Sequence, residues 1–303
     1  MINDDFRPLS PSGIESGFDV EVVGAGGANE GMTSADEITH APAVTQRWGN
    51  RRARLWVIGL FGLALTVAVA ALPPLSEPQV FRVLADDRAF FGIANFLNVV
   101  SNAPFLLVGA WALYFLARDS RYSGAFTDPM EKWPYVFCFL AVALVSVGST
   151  YYHLVPDNMR LTWDRLPMSI GFMSLLSAAV VERISTRVGL RLLLPLLLIG
   201  AGSVIYWRWS VLQGAENLLP YAAVQYGSIA AILVIAMIFP SRYTRGADIF
   251  RVGAIYAAAK VTEVLDAEIY SLGQVVSGHT LKHLIAALAV WWLLRMLQLR
   301  RPR

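Results

Sequence analysis

Long apolar segments alternate with short polar loops from residue 55 to the C-terminus. Each segment is close to the length of about 20 residues that a helix needs to cross the hydrocarbon core of a bilayer. The apolar runs are continuous rather than alternating, which excludes barrel strands, and a helix satisfies its own backbone hydrogen bonds in lipid. The pattern therefore predicts an all-α integral membrane protein with eight spans, at residues 55–75, 95–117, 133–153, 163–181, 190–207, 220–239, 249–269 and 279–297.

The composition agrees with this class of protein. Hydrophobic residues make up 56% of the 303 residues, charged residues only 16%, and the mean hydropathy is +0.51. A soluble domain carries roughly 25% charged residues, so a soluble enzyme, a nucleic-acid-binding protein and a disordered protein are excluded. Residues 1–46 differ from the rest, with eight acidic side chains, one basic side chain and no apolar period. This composition predicts a disordered, acidic cytoplasmic tail.

The basic residues predict the orientation of the spans. With the N-terminus in the cytoplasm, seventeen Lys and Arg residues lie on the cytoplasmic side and five on the opposite side. This is the bias of the positive-inside rule, and an even number of spans also returns the arginine-rich C-terminus to the cytoplasm. Short loops and this bias favour a bacterial inner membrane, with an endoplasmic reticulum or Golgi membrane as the alternative.

Three of the four histidines lie at span ends and in one predicted layer of the membrane. His153 ends the third predicted span, and His279 and His283 begin the eighth. The predicted topology places all three toward the outer face. Asp164, at the start of the fourth span, belongs to the same layer, and Ser149 lies one helical turn deeper than His153 on the same face.

The spacing of these residues suits a metal ion. His279 and His283 are four residues apart and project from one helix face, and His153 adds a third imidazole from another helix. Three protein ligands with one open position are typical of catalytic zinc. Such an ion would lower the pKa of a bound water to about 7 and polarise a carbonyl oxygen. Asp164 could then act as the general base or hold the water, and Ser149 could donate a hydrogen bond to the developing oxyanion.

Structural alternatives exist for the same residues. The three histidines could be buried groups bonded to the backbone or to neighbours. A haem is disfavoured, because two imidazoles on one helix face cannot reach opposite sides of one haem. Asp164 could cap its helix or pair with Arg160 or Arg165, and Ser149 could bond to a carbonyl of its own helix.

Other polar residues in the spans also allow two interpretations. Asn98, Ser101 and Asn102 favour helix–helix contacts, and the alternative is an outer shell around the metal. Ionisable groups inside a span are costly and usually face the interior. Lys260 and Glu263, three residues apart in the seventh span, can form an ion pair. Alternatively, Glu263 or Asp266 orients a ligating histidine or lines a substrate cavity.

Four short runs follow one another in a recognisable order. Residues 95–102, 149–153, 164–168 and 279–283 read Asn-Phe-Leu-Asn-Val-Val-Ser-Asn, Ser-Thr-Tyr-Tyr-His, Asp-Arg-Leu-Pro-Met and His-Thr-Leu-Lys-His. A serine four residues before a histidine, an aspartate eleven residues later and a late His-x-x-x-His resemble the pattern of the alkaline ceramidase family. That family belongs to a superfamily of seven-span hydrolases that includes the progestin/adiponectin receptors. The resemblance covers roughly residues 86–297.

The resemblance implies a seven-helix core in which His153, His279 and His283 hold a zinc ion beside Ser149 and Asp164. It also implies hydrolysis of the amide bond of ceramide, or of a related N-acyl lipid, to a long-chain base and a fatty acid. The expected organisation is an acidic tail at 1–46, an extra N-terminal transmembrane helix at 47–80 and a seven-span catalytic domain at 81–303.

Two features depart from the eukaryotic pattern of that family. The first is the extra N-terminal span. The second is an incomplete acidic calcium loop, in which Asn95 stands in place of a glutamate and Asp86 and Asp87 remain. We therefore expect zinc and not calcium as the cofactor.

The expected partners are the bilayer and a membrane lipid that enters the bundle laterally, and no nucleic acid. The alternative function is a non-catalytic lipid-binding receptor or sensor of the same superfamily, whose metal would be structural. The charged seventh span would also allow a transporter, but the sequence shows no internal repeat of the kind that transporters often have.

Overall fold

The computed structural model describes residues 51–77, 83–118, 120 and 123–303. The predicted acidic tail at 1–46 lies outside the described residues. Within the described ranges the regular structure is helical, apart from two isolated β-bridges. The all-α prediction is confirmed for this part of the chain.

The helices are α1 (Arg51–Ala71), α2 (Phe96–Val100), α3 (Ala103–Ala117), α4 (Trp133–Leu154), α5 (Asn158–Arg183), α6 (Thr186–Leu212), α7 (Leu219–Ala222), α8 (Ser228–Ile238), α9 (Asp248–Val264), α10 (Asp266–Ser271) and α11 (Gly278–Leu299). A 3₁₀ turn at Pro129–Lys132 leads into α4, and a π turn at Ala223–Gly227 joins α7 to α8. Seven stretches in the described residues are long and apolar enough to cross a membrane, namely Arg51–Ala71, Phe96–Ala117, Pro129–Leu154, Asn158–Arg183, Thr186–Leu212, Leu219–Ile238 and Gly278–Leu299. These helices are those of a multi-pass membrane protein.

The seventh predicted span, 249–269, differs from the other predicted spans. It forms α9, of 17 residues, and the short α10, with a break at Leu265, so it is not among the seven long apolar helices. The charged residues that interrupt the apolar run have specific partners. Lys260 pairs with Glu263, as the spacing predicted. The carboxylate of Asp266 accepts hydrogen bonds from the backbone N–H of His279 at 2.6 Å and of Ala85 at 2.9 Å.

Close packing of α4 against α5 brings two predicted site residues together. Gly148 lies so near the carbonyl of Trp163 that an added Cβ would collide with that backbone. Glycine therefore permits an approach that a larger residue would prevent. The next residue along each helix, Ser149 on α4 and Asp164 on α5, then face one another. Gly278 allows a similar approach of α11 to the end of α9.

The helix ends position the site by simple capping. Asp157 caps α5 by accepting a hydrogen bond from the N–H of Arg160 at 2.8 Å, and Ser277 caps α11 in the same way from Thr280 at 3.1 Å. The side-chain oxygen in each case satisfies a backbone donor that the helix itself leaves free. His279 consequently lies in the first turn of α11.

A buried ion pair closes the other end of the bundle. The guanidinium of Arg300, with 1% of the residue exposed, donates to the carbonyl of Ala125 at 2.7 Å and to Glu182 Oε2 at 2.9 Å. The rings of Tyr243 and Phe126 lie 4.1 and 4.6 Å from the guanidinium carbon. The C-terminal segment after α11 is therefore held inside the fold by a charge that has several partners.

We expect Arg300→Ala to lower the free energy of unfolding in detergent by about 2 kcal/mol, because the buried carboxylate of Glu182 loses the nearer of its two cations and keeps the longer contact with Arg183 at 3.7 Å. Arg303→Ala is the matched control, since Arg303 is exposed in the same C-terminal segment and its truncation should have little effect. Chemical denaturation of both variants and the wild type measures the difference. Equal stability of the two variants would contradict this account of the buried pair.

Candidate metal centre

Three imidazoles that the sequence predicted to lie close together do so in the structure. His153 lies near the end of α4, and His279 and His283 lie in the first two turns of α11. All three are buried, and one ring nitrogen from each lies within 4.8 Å of the others. The Nε2 atoms of His153 and His279 are 3.2 Å apart. The three side chains are therefore close enough to hold a metal ion.

The Nε2 atoms of His153 and His279 are about as far apart as two nitrogen ligands of one transition-metal ion. Zinc–nitrogen bonds of about 2.0–2.1 Å in tetrahedral geometry place neighbouring ligand nitrogens about 3.3 Å apart. The His153–His279 distance of 3.2 Å agrees with this value. Imidazole also suits copper, iron and nickel, so the donor set is typical of a transition-metal site in general.

Hydrogen bonds hold all three histidines in place, and that of His279 is the bond from its backbone N–H to Asp266 described above. Ser101 Oγ and His283 Nδ1 are bonded at 2.8 Å, which leaves Nε2 of this ring for a metal. The amide of Asn95 donates to the backbone carbonyl of His153 at 2.8 Å. Nδ1 of His153 is buried and has no hydrogen-bond partner in the described part of the chain. Buried polar atoms are rarely left without a partner, so this ring nitrogen is suited to a water molecule or a ligand.

The polar run on α2 and the start of α3 thus has mixed roles. Ser101 contacts a candidate ligand directly, as an outer-shell residue would. Asn98 links two elements, because its amide donates to the carbonyl of Asp86 at 2.9 Å and its oxygen accepts from Thr280 Oγ1 at 3.0 Å. Asn102 bonds back to the carbonyl of Asn98 at 2.8 Å. Helix contacts and metal support are therefore both present.

Ser149 and Asp164 lie beside the histidines as a pair. Ser149 is buried and lies next to the carboxyl group of Asp164. Other acidic residues take the capping and ion-pairing roles that were the structural alternatives for Asp164. Asp157 caps the helix and pairs with Arg160, and the partner of Arg165 is Glu77. Asp164 is left to face the interior of the bundle.

A cavity of about 220 Å³ opens beside the histidines. Its wall combines the candidate ligand His279 and the candidate base Asp164 with further charged side chains, namely Glu77, Arg165, Lys260, Glu263 and Lys282. A second cavity, of about 160 Å³, is lined almost entirely by apolar side chains of the bundle interior. Met168 lines both cavities. A polar chamber and an apolar chamber therefore adjoin one another inside the protein.

Two contacts at the polar cavity were not predicted from the sequence. Lys282 Nζ lies 2.8 Å from His279 Nε2 and 3.0 Å from Glu263 Oε1. A signal for this contact existed, because Lys282 is three residues after His279 and shares its helix face. The buried pair of Glu77 and Arg165 had no such signal, since the two residues are far apart in the chain.

The residues of the incomplete calcium loop have other partners. Asp86 is buried, and Arg88 donates to its two carboxylate oxygens at 2.7 and 2.9 Å. The guanidinium holds the pKa of the Asp86 carboxyl below its ordinary value. Together with the bond from Asn95 to His153, these contacts tie the loop before α2 to the metal layer.

Comparison with protein-family models, with curated proteins and with solved structures finds no match for this chain. The resemblance to alkaline ceramidases therefore depends on the motif residues themselves. Of these, the three histidines lie close together, and Asp164 lies next to Ser149 and lines one cavity with His279.

We expect Ser101→Ala to weaken metal binding by roughly 10-fold or more, because loss of an outer-shell partner of a ligating histidine has an effect of that size. Ser146→Ala is the matched control. Ser146 is a buried serine nearby whose hydroxyl donates to the carbonyl of Asn102 at 2.8 Å and to no imidazole. Competition with a zinc-selective chelator gives the dissociation constants. Equal affinities of the two variants would show that Ser101 does not support the site.

Proposed function

We propose that this protein is a membrane-embedded, zinc-dependent hydrolase that cleaves the amide bond of ceramide or of a related N-acyl lipid, giving a long-chain base and a fatty acid. The observation that carries the proposal is a cluster of three buried imidazoles, one of which, His279, lines a polar cavity together with Asp164, the neighbour of Ser149. The same five residues carry the resemblance to the alkaline ceramidase family. His153, His279 and His283 are the proposed metal ligands.

Zinc held by the three imidazoles would supply Lewis acidity, which lowers the pKa of water to about 7 and polarises a carbonyl group. The protein's part is to fix the three rings and to keep the site largely enclosed. Ser101 and the backbone contacts of His153 and His279 fix the rings. Burial of all three histidines keeps the site enclosed.

Asp164 is the proposed general base. Its carboxylate lines the cavity and can take a proton from water. The same carboxyl group can then return that proton to the leaving nitrogen of the amide. The proton therefore moves between water, Asp164 and the product amine, and the carboxylate is restored.

Ser149 is proposed to orient this carboxylate. A hydroxyl group has one donor proton, so a Ser149 that donates to Asp164 cannot stabilise an oxyanion at the same moment. In the observed arrangement Ser149 contacts Asp164, which favours the orienting role. Stabilisation of an oxyanion, the role expected from the sequence, would require the hydroxyl to turn toward the cavity.

The two adjoining cavities support a lipid substrate. The polar cavity contains the metal ligand His279 and the candidate base, and the apolar cavity can take a hydrocarbon chain. Met168, at their junction, would lie near the point where the chain joins the polar group. Water-insoluble amides reach such a site from the surrounding lipid, which explains why it lies within a helix bundle.

The positive-inside bias supports an orientation with both termini in the cytoplasm. The metal layer would then face the periplasmic side of a bacterial inner membrane. We propose this location together with the activity.

We expect Asp164→Asn to lower the rate of fatty acid release from ceramide in mixed micelles by at least about 100-fold, because general base catalysis contributes that much. Metal content should stay unchanged, since the three imidazoles remain. Asp87→Asn, at an exposed acid outside the cavity, is the matched control and should keep the wild-type rate. Mass spectrometry of the released fatty acid measures both variants.

Two results would contradict the proposal. One is the absence of release by metal-loaded wild type, and the other is equal release by wild type and Asp164→Asn. Ceramide binding without turnover would instead favour the receptor or sensor.

A further inference from the structure

Arg165 is a buried cation on the wall of the polar cavity. It follows the candidate base Asp164 directly and is 5% exposed. It lines the same cavity as Asp164 and His279. No part of the proposed hydrolysis uses it.

Three neighbours hold the guanidinium of Arg165. Its central carbon lies 4.2 Å from the ring of Trp207 and 5.1 Å from the ring of Tyr221. One nitrogen, Nη2, pairs with the carboxylate of Glu77. Both side chains of this ion pair are more than nine-tenths buried. The charge of the guanidinium is thus compensated by a carboxylate and by two aromatic faces.

The other terminal nitrogen of Arg165 lacks a partner. Nη1 is buried and makes no hydrogen bond within the described residues. Guanidinium is a donor at every nitrogen and never an acceptor, and a buried donor without an acceptor is costly. Because Arg165 lines the cavity, an occupant of the cavity can supply the missing oxygen.

The charged side chains around Arg165 indicate whether the oxygen that accepts from Nη1 belongs to an anionic or an uncharged group. Arg165 is paired with Glu77, and Lys260 and Lys282 are both paired with Glu263. The cations of this wall therefore have carboxylate partners already. An anionic group would approach these carboxylates and Asp164, whereas an uncharged hydroxyl accepts a hydrogen bond without that repulsion.

We propose, as a refinement that rests on the proposed hydrolase function, that Arg165 binds the polar headgroup of the lipid by donating from Nη1 to a hydroxyl oxygen. Glu77 is the positioning residue that holds the guanidinium in place. Arg165 therefore contributes to the affinity for amides whose amine carries a hydroxyl group, and not to the affinity for amides of plain alkylamines.

This assignment gives the N-terminal helix a part in the site. Glu77 lies six residues after the end of α1 (Arg51–Ala71), on a segment that follows the helix. That segment is fixed to the loop before α7, because Leu218 N–H donates to the carbonyl of Leu75 at 2.7 Å and Leu75 N–H donates to Asn217 Oδ1 at 3.3 Å. A span outside the seven-helix core thereby delivers a side chain to the cavity.

The test compares the binding of two probes in protein that carries Asp164→Asn, so that no turnover is needed. One probe is a medium-chain N-acyl amide of a long-chain aminodiol, and the other is the same amide of the alkylamine that lacks both hydroxyls. The double variant Glu77→Gln/Arg165→Gln removes both charges together, because removal of one alone would strand a buried charge. Glu268→Gln, at an exposed acid of α10, is the control.

We expect the double variant to bind the aminodiol amide about 10-fold or more weakly, as the loss of a hydrogen bond to a charged group predicts. Binding of the alkylamine amide should not change, and the control should match the parent for both probes. Glu77→Asp, which keeps both charges of the pair but shortens the carboxylate that positions Arg165, should also weaken only the aminodiol amide. Competition against a fluorescent N-acyl amide in nanodiscs gives the dissociation constants, and the melting temperature checks folding.

Unchanged preference for the aminodiol amide in both variants would overturn the proposal. An equal loss of affinity for both probes would overturn it too, because Arg165 would then only maintain the fold. A phosphorylated aminodiol amide is a third probe, and tighter binding of it than of the neutral amide would contradict the hydroxyl assignment. Failure of the hydrolase itself would be seen separately, as absence of turnover in protein with Asp164 intact.

Discussion

The close contact between α4 and α5 is the interaction on which the proposed site depends. Gly148 lets the backbone of α4 approach the carbonyl of Trp163, and this approach sets Ser149 opposite Asp164. His153, one turn beyond Ser149, is then carried toward α11. A bulkier residue at position 148 would separate the two helices and with them the base and the metal layer. Helix packing through small residues is the usual way for spans to come close in a membrane.

The charges of the polar cavity follow a second constraint, the cost of burial. Each buried cation there has a carboxylate partner, Glu77 for Arg165 and Glu263 for Lys260 and Lys282. Uncompensated charges would be expensive in this environment. The pairs also leave specific groups available for chemistry, namely the Asp164 carboxyl and the free nitrogen of Arg165. The same arrangement of ion pairs therefore compensates the buried charges and leaves the groups that the proposed function uses.

The pattern of apolar and polar residues along the chain predicts most of the helices. It does not predict the contacts between residues that are far apart in the sequence. The lengths of the apolar runs correctly predicted seven of the eight expected spans as long apolar helices. Helix periodicity and the predicted topology together indicated that His153, His279 and His283 lie close to one another, as they do. The break at Leu265 was not predicted, because it follows from the bonds of Asp266 to His279 and Ala85, which distant segments supply. The ion pair of Glu77 with Arg165 was missed for the same reason, as no spacing rule joins residues so far apart in sequence.

The proposed function requires that three histidines from two helices hold one catalytic zinc ion. Zinc-edge X-ray absorption spectroscopy on the purified, detergent-solubilised protein measures this. We expect about one zinc per chain with three imidazole nitrogens at about 2.0–2.1 Å and a further light ligand in the open position. Protein that neither contains zinc nor takes it up, or zinc whose spectrum shows no imidazole shell, would contradict it.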